Sequence, residues 1–365
     1  MDFLIGALGV VFAFGLVIFV HEFGHFIVAK KSGVQVDRFS FGLGPEMFGF
    51  QWGETRYCVA WIPLGGEVRM AGEMEPGGDP SVVRDSREFF AKPWYRRIPI
   101  VLAGPAMNYV LAYVLFAFVF LLWGNPKASS EPVVGDLVDA YPAKAAGLLT
   151  GDRMVSVNGK SVFTWTNVAE IIHQNAETPI TLSVLREGGE SLDFVLTPVR
   201  DAVSGRGLIG ISPAVAFSPM PLGEALVAGG QQTVFWTRYT LSYLGDKIVN
   251  RQKPDLSGPL GIANIISKST KSGIQDYLFL IALISLGIGL FNLFPIPMLD
   301  GGHLVFFLWE GISRKPVSRR VVQAANVAGL SLLLGILVFA TFSDIQRMRN
   351  KPTSTTTSTT SGPTR

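Results

Sequence analysis

The sequence predicts a polytopic α-helical membrane protein with four transmembrane helices, a membrane-associated β-hairpin or sheet after the first, and one inserted α+β domain. Three observations carry that prediction. Of 365 residues, 48% are hydrophobic and only 16% charged, with mean hydropathy +0.36; soluble domains carry roughly 25% charged residues. Four apolar segments reach the roughly 20 residues needed to span a bilayer: Phe3–Val20 running on toward Ala29, Ile98–Trp123, Tyr277–Phe294 and Val321–Phe342. Between the second and third lies a long stretch of ordinary globular composition. A net charge of +3, spread along the chain, implies no nucleic-acid partner. The single cysteine, Cys58, excludes an internal disulfide.

The first span, in residues 1–30, is expected to be retained rather than cleaved as a signal peptide. It opens on Asp2 instead of a basic region, and Lys30-Lys31 follow with no small-residue cleavage site. Residues 31–97 contain "FSFGLGPEMFGF" and "ETRYCVAWIPLGGEVRMAG", strand-like stretches with glycine breaks. They read as a β-hairpin or sheet, either partly dipping into the membrane or forming a small cytoplasmic β-domain. The second span follows at 98–123. Residues 126–200 form a separate domain: "MVSVNG" is bounded by turns, "NVAEIIHQ" is helical, and "PITLSVLREGGESLDFVLTPV" is a hairpin turned at Gly188-Gly189. A linker, 201–276, holds an amphipathic helix at 221–252.

The third span, 277–303, contains Gly287 and Gly289 and runs into "FNLFPIPMLDGG", where Pro295 and Pro297 must interrupt a regular helix. Broken backbone at membrane depth is tolerated only where it faces protein or a water-filled cavity. The fourth span is 321–343, and the Ser/Thr-rich tail 350–365 reads as disordered. Lys30, Lys31, Lys92, Arg96, Arg97, Arg314, Lys315, Arg319 and Arg320 all fall on one side of four alternating spans, which the positive-inside rule makes the cytoplasm. Both termini and residues 126–276 are then outside, although Arg347, Arg349 and Lys351 pull the other way.

The chemistry begins at "VIFVHEFGHFIVAKK". His-Glu-x-x-His on a helix places His21 and His25 on one face, where both reach one zinc ion. Glu22, beside that face, can take a proton from a water molecule. The bland alternative is a polar helix end whose histidines snorkel to the interface. A catalytic zinc needs a third protein ligand and an open position, and Asp300 and His303 are the candidates in the broken span. The backbone break favours Asp300, unless Asp300 merely caps a short helix beginning at Gly301.

"HEFGHF", "LAGPAMNYVLA" and "FNLFPIPMLDGGH", together with "REFFAKPWYRR" and "SGPLGI", resemble the site-2 protease family of intramembrane zinc metalloproteases. Within it the chain is most similar to the regulator of sigma-E protease branch. The resemblance implies one Zn2+ per chain on His21, His25 and Asp300, with Glu22 as general base and His303 outside the ligand set. It implies that Asn292 holds the substrate strand or steadies the reaction centre, and it gives Asn108 a positioning or helix-packing role. Residues 126–200, through "AKAAGLLTGDRMVSVNG", resemble a circularly permuted PDZ domain. Some relatives carry two such domains, and 201–276 shows no second copy of the pattern.

The expected substrates are single-pass transmembrane proteins, such as anti-sigma factors and remnant signal peptides, cut within the bilayer of a bacterial cytoplasmic (inner) membrane. The active site would face the cytoplasm, with the PDZ domain and termini outside. Arg56, Tyr57, Cys58, Val59, Ala60, Trp61 and Ile62 are expected to form an edge strand that receives the unwound substrate by β-addition. Two rival readings are a non-enzymatic PDZ adaptor and a metal transporter with His and Asp along a pore.

Overall fold

The computed structural model describes residues 2–72, 85–124, 127–201, 204–216, 218–251 and 258–349. It forms two compact units, one of residues up to Val119 and from Gly223 onward, the other Phe120–Leu222. The 350–365 tail lies outside the described residues.

α1 (Asp2–Lys31) is a single helix. Its buried residues Ala13, Val17, His21, His25 and Ala29 recur every fourth position and so share a face. Leu4, Leu8 and Phe12 are left exposed. Two long strands follow, β1 (Val36–Trp52) and β2 (Thr55–Met70), turned at Gly53-Glu54. Their register is folded back on itself. Gln51, Phe50, Gly49 and Phe48 pair with Arg56, Tyr57, Cys58 and Val59, and those same four residues also pair with Arg38, Phe39, Ser40 and Phe41. The far side of Arg38–Phe41 pairs with Gly66–Arg69. The sheet therefore reads, in space, 46–52, 55–60, 36–43, 66–70. After a short 3-10 turn at Phe89–Ala91 comes α2 (Trp94–Leu122), which holds Pro99 and Pro105 inside it.

The second unit carries β3 (Lys127–Ala128), β4 (Val134–Leu137), α3 (Pro142–Ala145), β5 (Arg153–Val157), β6 (Lys160–Ser161), α4 (Trp165–Gln174), β7 (Ile180–Leu185), β8 (Ser191–Leu196), β9 (Val199–Arg200), β10 (Gly207–Leu208), β11 (Ile211–Pro213) and β12 (Val215–Ala216). Four strands form a sheet in the order β6-β5-β7-β8. β7 alternates as a half-buried strand must: Ile180, Leu182 and Val184 enter a core with Val134, Met154, Val168 and Ile172. Thr164 caps α4 by accepting from the Asn167 amide at 3.3 Å. Gly188 and Gly189 adopt φ of 109° and 86° at the β7–β8 turn, where only glycine is unstrained. The expected 126–200 boundary is too short. β10, β11 and β12 pair back onto β9, β4 and β3, so residues expected to be linker close the domain.

The chain then returns to the first unit with α5 (Leu222–Val249), α6 (Pro259–Ser272), α7 (Ile274–Asn292), α8 (Asp300–Ser313) and α9 (Arg319–Arg349). Four helices, α1, α2, α7 and α9, are long and apolar enough to cross a membrane. α6 presses on α1 where glycine permits it: a Cβ on Gly6 would meet Ser267 and one on Gly9 would meet Thr270. The buried Asp344 of α9 accepts from the Gly258 and Gly261 amides at 3.1 and 2.8 Å, satisfying the orphan donors at the start of α6. Along α1, one apolar cluster joins Ala13 and Val17 to Ile266, Tyr277 and Ile281. A second joins Ala29 to Val36, Met70, Ile100 and Phe307. His21 and His25 fall between the two.

Candidate metal centre

His21 and His25 lie one turn apart on the buried face of α1, each 8% exposed, with their Nε2 atoms 3.2 Å apart. α7 stops at Asn292, and the proline-containing segment that follows turns the chain through Met298 at φ 79°, a left-handed conformation rare outside glycine. α8 then starts at Asp300, with Leu299 in the capping position and no side-chain cap. Asp300 is therefore not spent on capping. Its Oδ2 lies 3.2 Å from His21 Nε2 and its Oδ1 3.5 Å from His25 Nε2. These three residues, with ligand atoms all within 4.8 Å of one another, are the grouping fit for a metal among the described residues.

The donor set fits zinc in chemistry and in spacing. Three atoms bound at 2.0–2.1 Å around a tetrahedral zinc stand about 3.3 Å apart, close to the separations seen. His25 Nδ1 lies 2.8 Å from the Ile100 carbonyl, to which it can only donate, so its Nε2 is left with a bare lone pair. The buried Asp300 Oδ2 has no properly directed donor among the described residues. Lone pairs converging in a buried site repel unless a cation lies among them.

His21 is held in the same way. Its Nδ1 faces the fully buried amide of Asn108 at 3.2 Å, and Asn108 Oδ1 has no other partner among the described residues. Amide nitrogen and oxygen exchange by a half-turn. Turned over, Oδ1 accepts from Nδ1–H and frees Nε2 to bind metal. The Asn108 carbonyl in turn accepts from Ser285 of α7 at 2.9 Å.

Close packing of α2 on α1 makes this possible. A Cβ on Gly24 would fall 2.3 Å from the Ala103 carbonyl oxygen. One on Gly104 would fall 2.2 Å from His25 Nε2 and 2.8 Å from His21 Cε1. Gly104 is a site residue that motif reasoning missed, although it stands inside the quoted "LAGPAMN". Gly301 and Gly302 do the same for the third ligand, lying against the carbonyls of Phe294 and Ile296.

A cavity of about 470 Å³ opens on the cluster, lined by polar His21, Glu22, His25, Asn292, Asp300 and His303 with apolar Val68, Met70, Phe89, Phe90 and Phe307 among its walls. Glu22 is half-buried in it, and Gly66 of β2 packs so close that a Cβ there would meet Glu22 Cγ at 2.6 Å. Asn292 lines it as expected.

The expected edge strand does not. Arg56, Tyr57, Cys58 and Val59 are paired on both sides, and Ala60 pairs with Glu46. Arg56 binds Glu46 at 2.5 Å, Cys58 accepts from Arg38, and Tyr57 stacks on Phe50. Trp61 and Ile62 are exposed at the bend that follows, and none of residues 56–62 lines the cavity. The β segment at the site is the far end of β2, because the chain folds back at Gly65 and brings Gly66–Val68 against α1.

Peptidase family M50 matches residues 9–336. The zinc metalloprotease RasP of Geobacillus kaustophilus is 31% identical, the match covering 92% of this chain and 96% of that protein. The regulator of sigma-W protease RasP of Bacillus subtilis is 29% identical, covering 92% and 97%. A Rhizobium meliloti protein named as a zinc metalloprotease is 34% identical over 92% and 94%. A solved PDZ domain of an SdrC-like protein from Listeria monocytogenes is similar over 24% of this chain and 92% of that domain, at 17% identity and a TM-score of 0.21. With family and relatives matched over nearly the whole length, the chain belongs to peptidase family M50 and is a zinc metalloprotease with Zn2+ as its cofactor.

Proposed function

We propose that the enzyme is an intramembrane protease that cuts transmembrane segments of single-pass membrane proteins, with His21, His25 and Asp300 holding the zinc and Glu22 as general base. The observation that carries this is the placement of the cluster: two ligands on a membrane-length helix, the third at a proline break after another. When bound, zinc supplies Lewis-acid chemistry, lowering the pKa of water to about 7 and polarising a carbonyl. Glu22 accepts the proton of the attacking water and passes it to the departing amide nitrogen. Asn108 and the Ile100 carbonyl fix the two imidazoles. Asn292 steadies the substrate backbone.

A helical substrate hides its carbonyls in internal hydrogen bonds and must unwind before it can be cut. Gly66–Val68, at the outer end of the sheet and beside Glu22, is the segment placed to receive it by β-addition, in place of residues 56–62. Exposed Phe48, Phe50, Trp52 and Trp61 support a sheet that dips into lipid.

The 120–222 unit is a PDZ domain on the outer side, which filters or docks substrates. The basic residues after α1 and before α2 support a metal site toward the cytoplasm of a bacterial inner membrane. The Bacillus subtilis relative is named a regulator of sigma-W protease, which supports anti-sigma factors as one substrate class; remnant signal peptides are the other class in this reading.

The test is co-reconstitution of the purified enzyme with a single-pass substrate in vesicles, with cleavage sites mapped by mass spectrometry. Cuts inside the hydrophobic segment that disappear in Glu22→Gln are expected. Cuts confined to soluble loops would sink the proposal.

A further inference from the structure

His303 is the one polar residue of the cavity to which the mechanism above gives no task. It stands three positions after Asp300 on α8, hence on the same face of that helix, and it lines the same cavity as Glu22 and the three ligands. It is not part of the ligand cluster. Its ring rests on Phe307, centroids 6.4 Å apart and roughly parallel, with Phe306 at 6.5 Å. Among the described residues its ring nitrogens have no hydrogen-bond partner. An imidazole held by apolar neighbours with its polar atoms uncommitted is costly to keep, unless something that visits the cavity takes the hydrogen bond.

The reaction leaves one such demand open. Water attack on a peptide carbonyl develops negative charge on the carbonyl oxygen, and preorganised donors aimed at that oxygen contribute the largest share of many rate enhancements. Glu22, an acceptor, comes from the α1 wall beside β2. His303 comes from the α8 wall. Both line the cavity onto which His21, His25 and Asp300 open, so the ligand set has a base and a donor near it on separate elements. Asn292, at the end of α7, is left to hold the flanking backbone.

We infer that His303 is a catalytic residue of this peptidase, its neutral imidazole N–H donating to the scissile carbonyl oxygen as charge develops there. The inference rests on the protease reading, and the experiment separates the two. His303→Phe keeps a flat ring against Phe307 and removes the donor. His303→Gln keeps an N–H and loses the ring. Each is purified full-length, assayed for bound zinc, and assayed for cleavage of a single-pass substrate beside wild type and Glu22→Gln.

The expected result is one zinc in both variants, kcat about 10²–10³-fold lower in His303→Phe with KM little changed, and at least tenfold recovery in His303→Gln. Affinity for a phosphinic peptide, a tetrahedral mimic, should fall in His303→Phe while binding of uncleaved substrate in a Glu22→Gln background holds. A structural role for the ring reverses that order, with Phe active and Gln impaired, and would overturn the inference, as would equal losses in both variants. Loss of zinc from His303→Phe would overturn it too, by making His303 part of the metal site. If wild type itself does not cleave the single-pass substrate, the intramembrane reading falls and takes this with it.

Discussion

The 120–222 unit packs Val134, Met154, Val168, Leu182 and Val184 into a closed apolar core and keeps ion pairs such as Arg153–Glu131 and Arg200–Glu177 at its surface. The other unit does the reverse. It leaves Leu4, Leu8, Phe12, Leu334 and Phe339 exposed and buries His21, His25, Asn108, Ser285 and Asp344. The first arrangement is stable in water, where apolar surface is what must be hidden. The second suits lipid, where an unsatisfied polar group is what must be hidden. In the 120–222 unit, then, polar burial is an exception. In the helical unit it is where the chemistry is.

The comparison breaks if the two units do not respond separately, and the sharpest test lies at the ligands. Asp300→Ala or His21→Ala should reduce bound zinc from one per chain to near none and abolish cleavage, with the thermal transition of the 120–222 unit unmoved. Metal analysis beside calorimetry reads both. Next in size, Glu22→Gln should keep its zinc and lose about 10²–10⁴-fold in kcat. Lost zinc in that variant would make Glu22 a structural group.

Across the divide, Leu182→Ala removes a fully buried side chain from the globular core and should destabilise that unit by about 2–5 kcal/mol, leaving zinc content unchanged. Gly104→Ala should act in the opposite unit, forcing a methyl against His25 and His21 and weakening zinc about 10–100-fold, the range for losing a group that orients a ligand. A chelator titration measures it.

The smallest effect concerns pH. Hydrogen bonds from the Arg186 guanidinium, at 2.8 and 2.7 Å, hold the buried Asp152 carboxyl below its usual 3.8, helped by the Leu149 amide and opposed by burial. A depressed carboxylate stabilises fully above its unfolded pKa, and that contribution is lost as pH falls through the lower folded value. Acid unfolding of the 120–222 unit should therefore set in at higher pH in Arg186→Gln, with wild type and variant curves converging only below the folded pKa. Parallel shifts at every pH would assign the loss to packing.

What the sequence disclosed follows the range of the forces involved. α1 was legible because eighteen uncharged residues and a four-residue histidine spacing are local facts. Asp300 was legible because prolines 295 and 297 forbid a straight helix. Pairing order in the sheet was not, since residues 56–59 could have met one strand or two, and hydrogen bonds between distant segments leave no local trace. β10 to β12 were missed as part of the domain for the same reason: each is two or three residues long and has meaning only against its partner. Gly104 was visible as a letter, yet its use depends on how near two helices approach, which no single helix states.

The ligand set also divides unevenly along the chain, two groups four residues apart on α1 and the third about 275 residues later. Everything between them, including the whole 120–222 unit, is a loop closed by the metal site. Closure entropy rises only logarithmically with length, about 0.6 kcal/mol for each doubling. Domains can therefore be gained or lost in that interval with little effect on metal affinity, so long as both ends still return to α1. The architecture lets the inserted interval diversify while the metal site stays as it is.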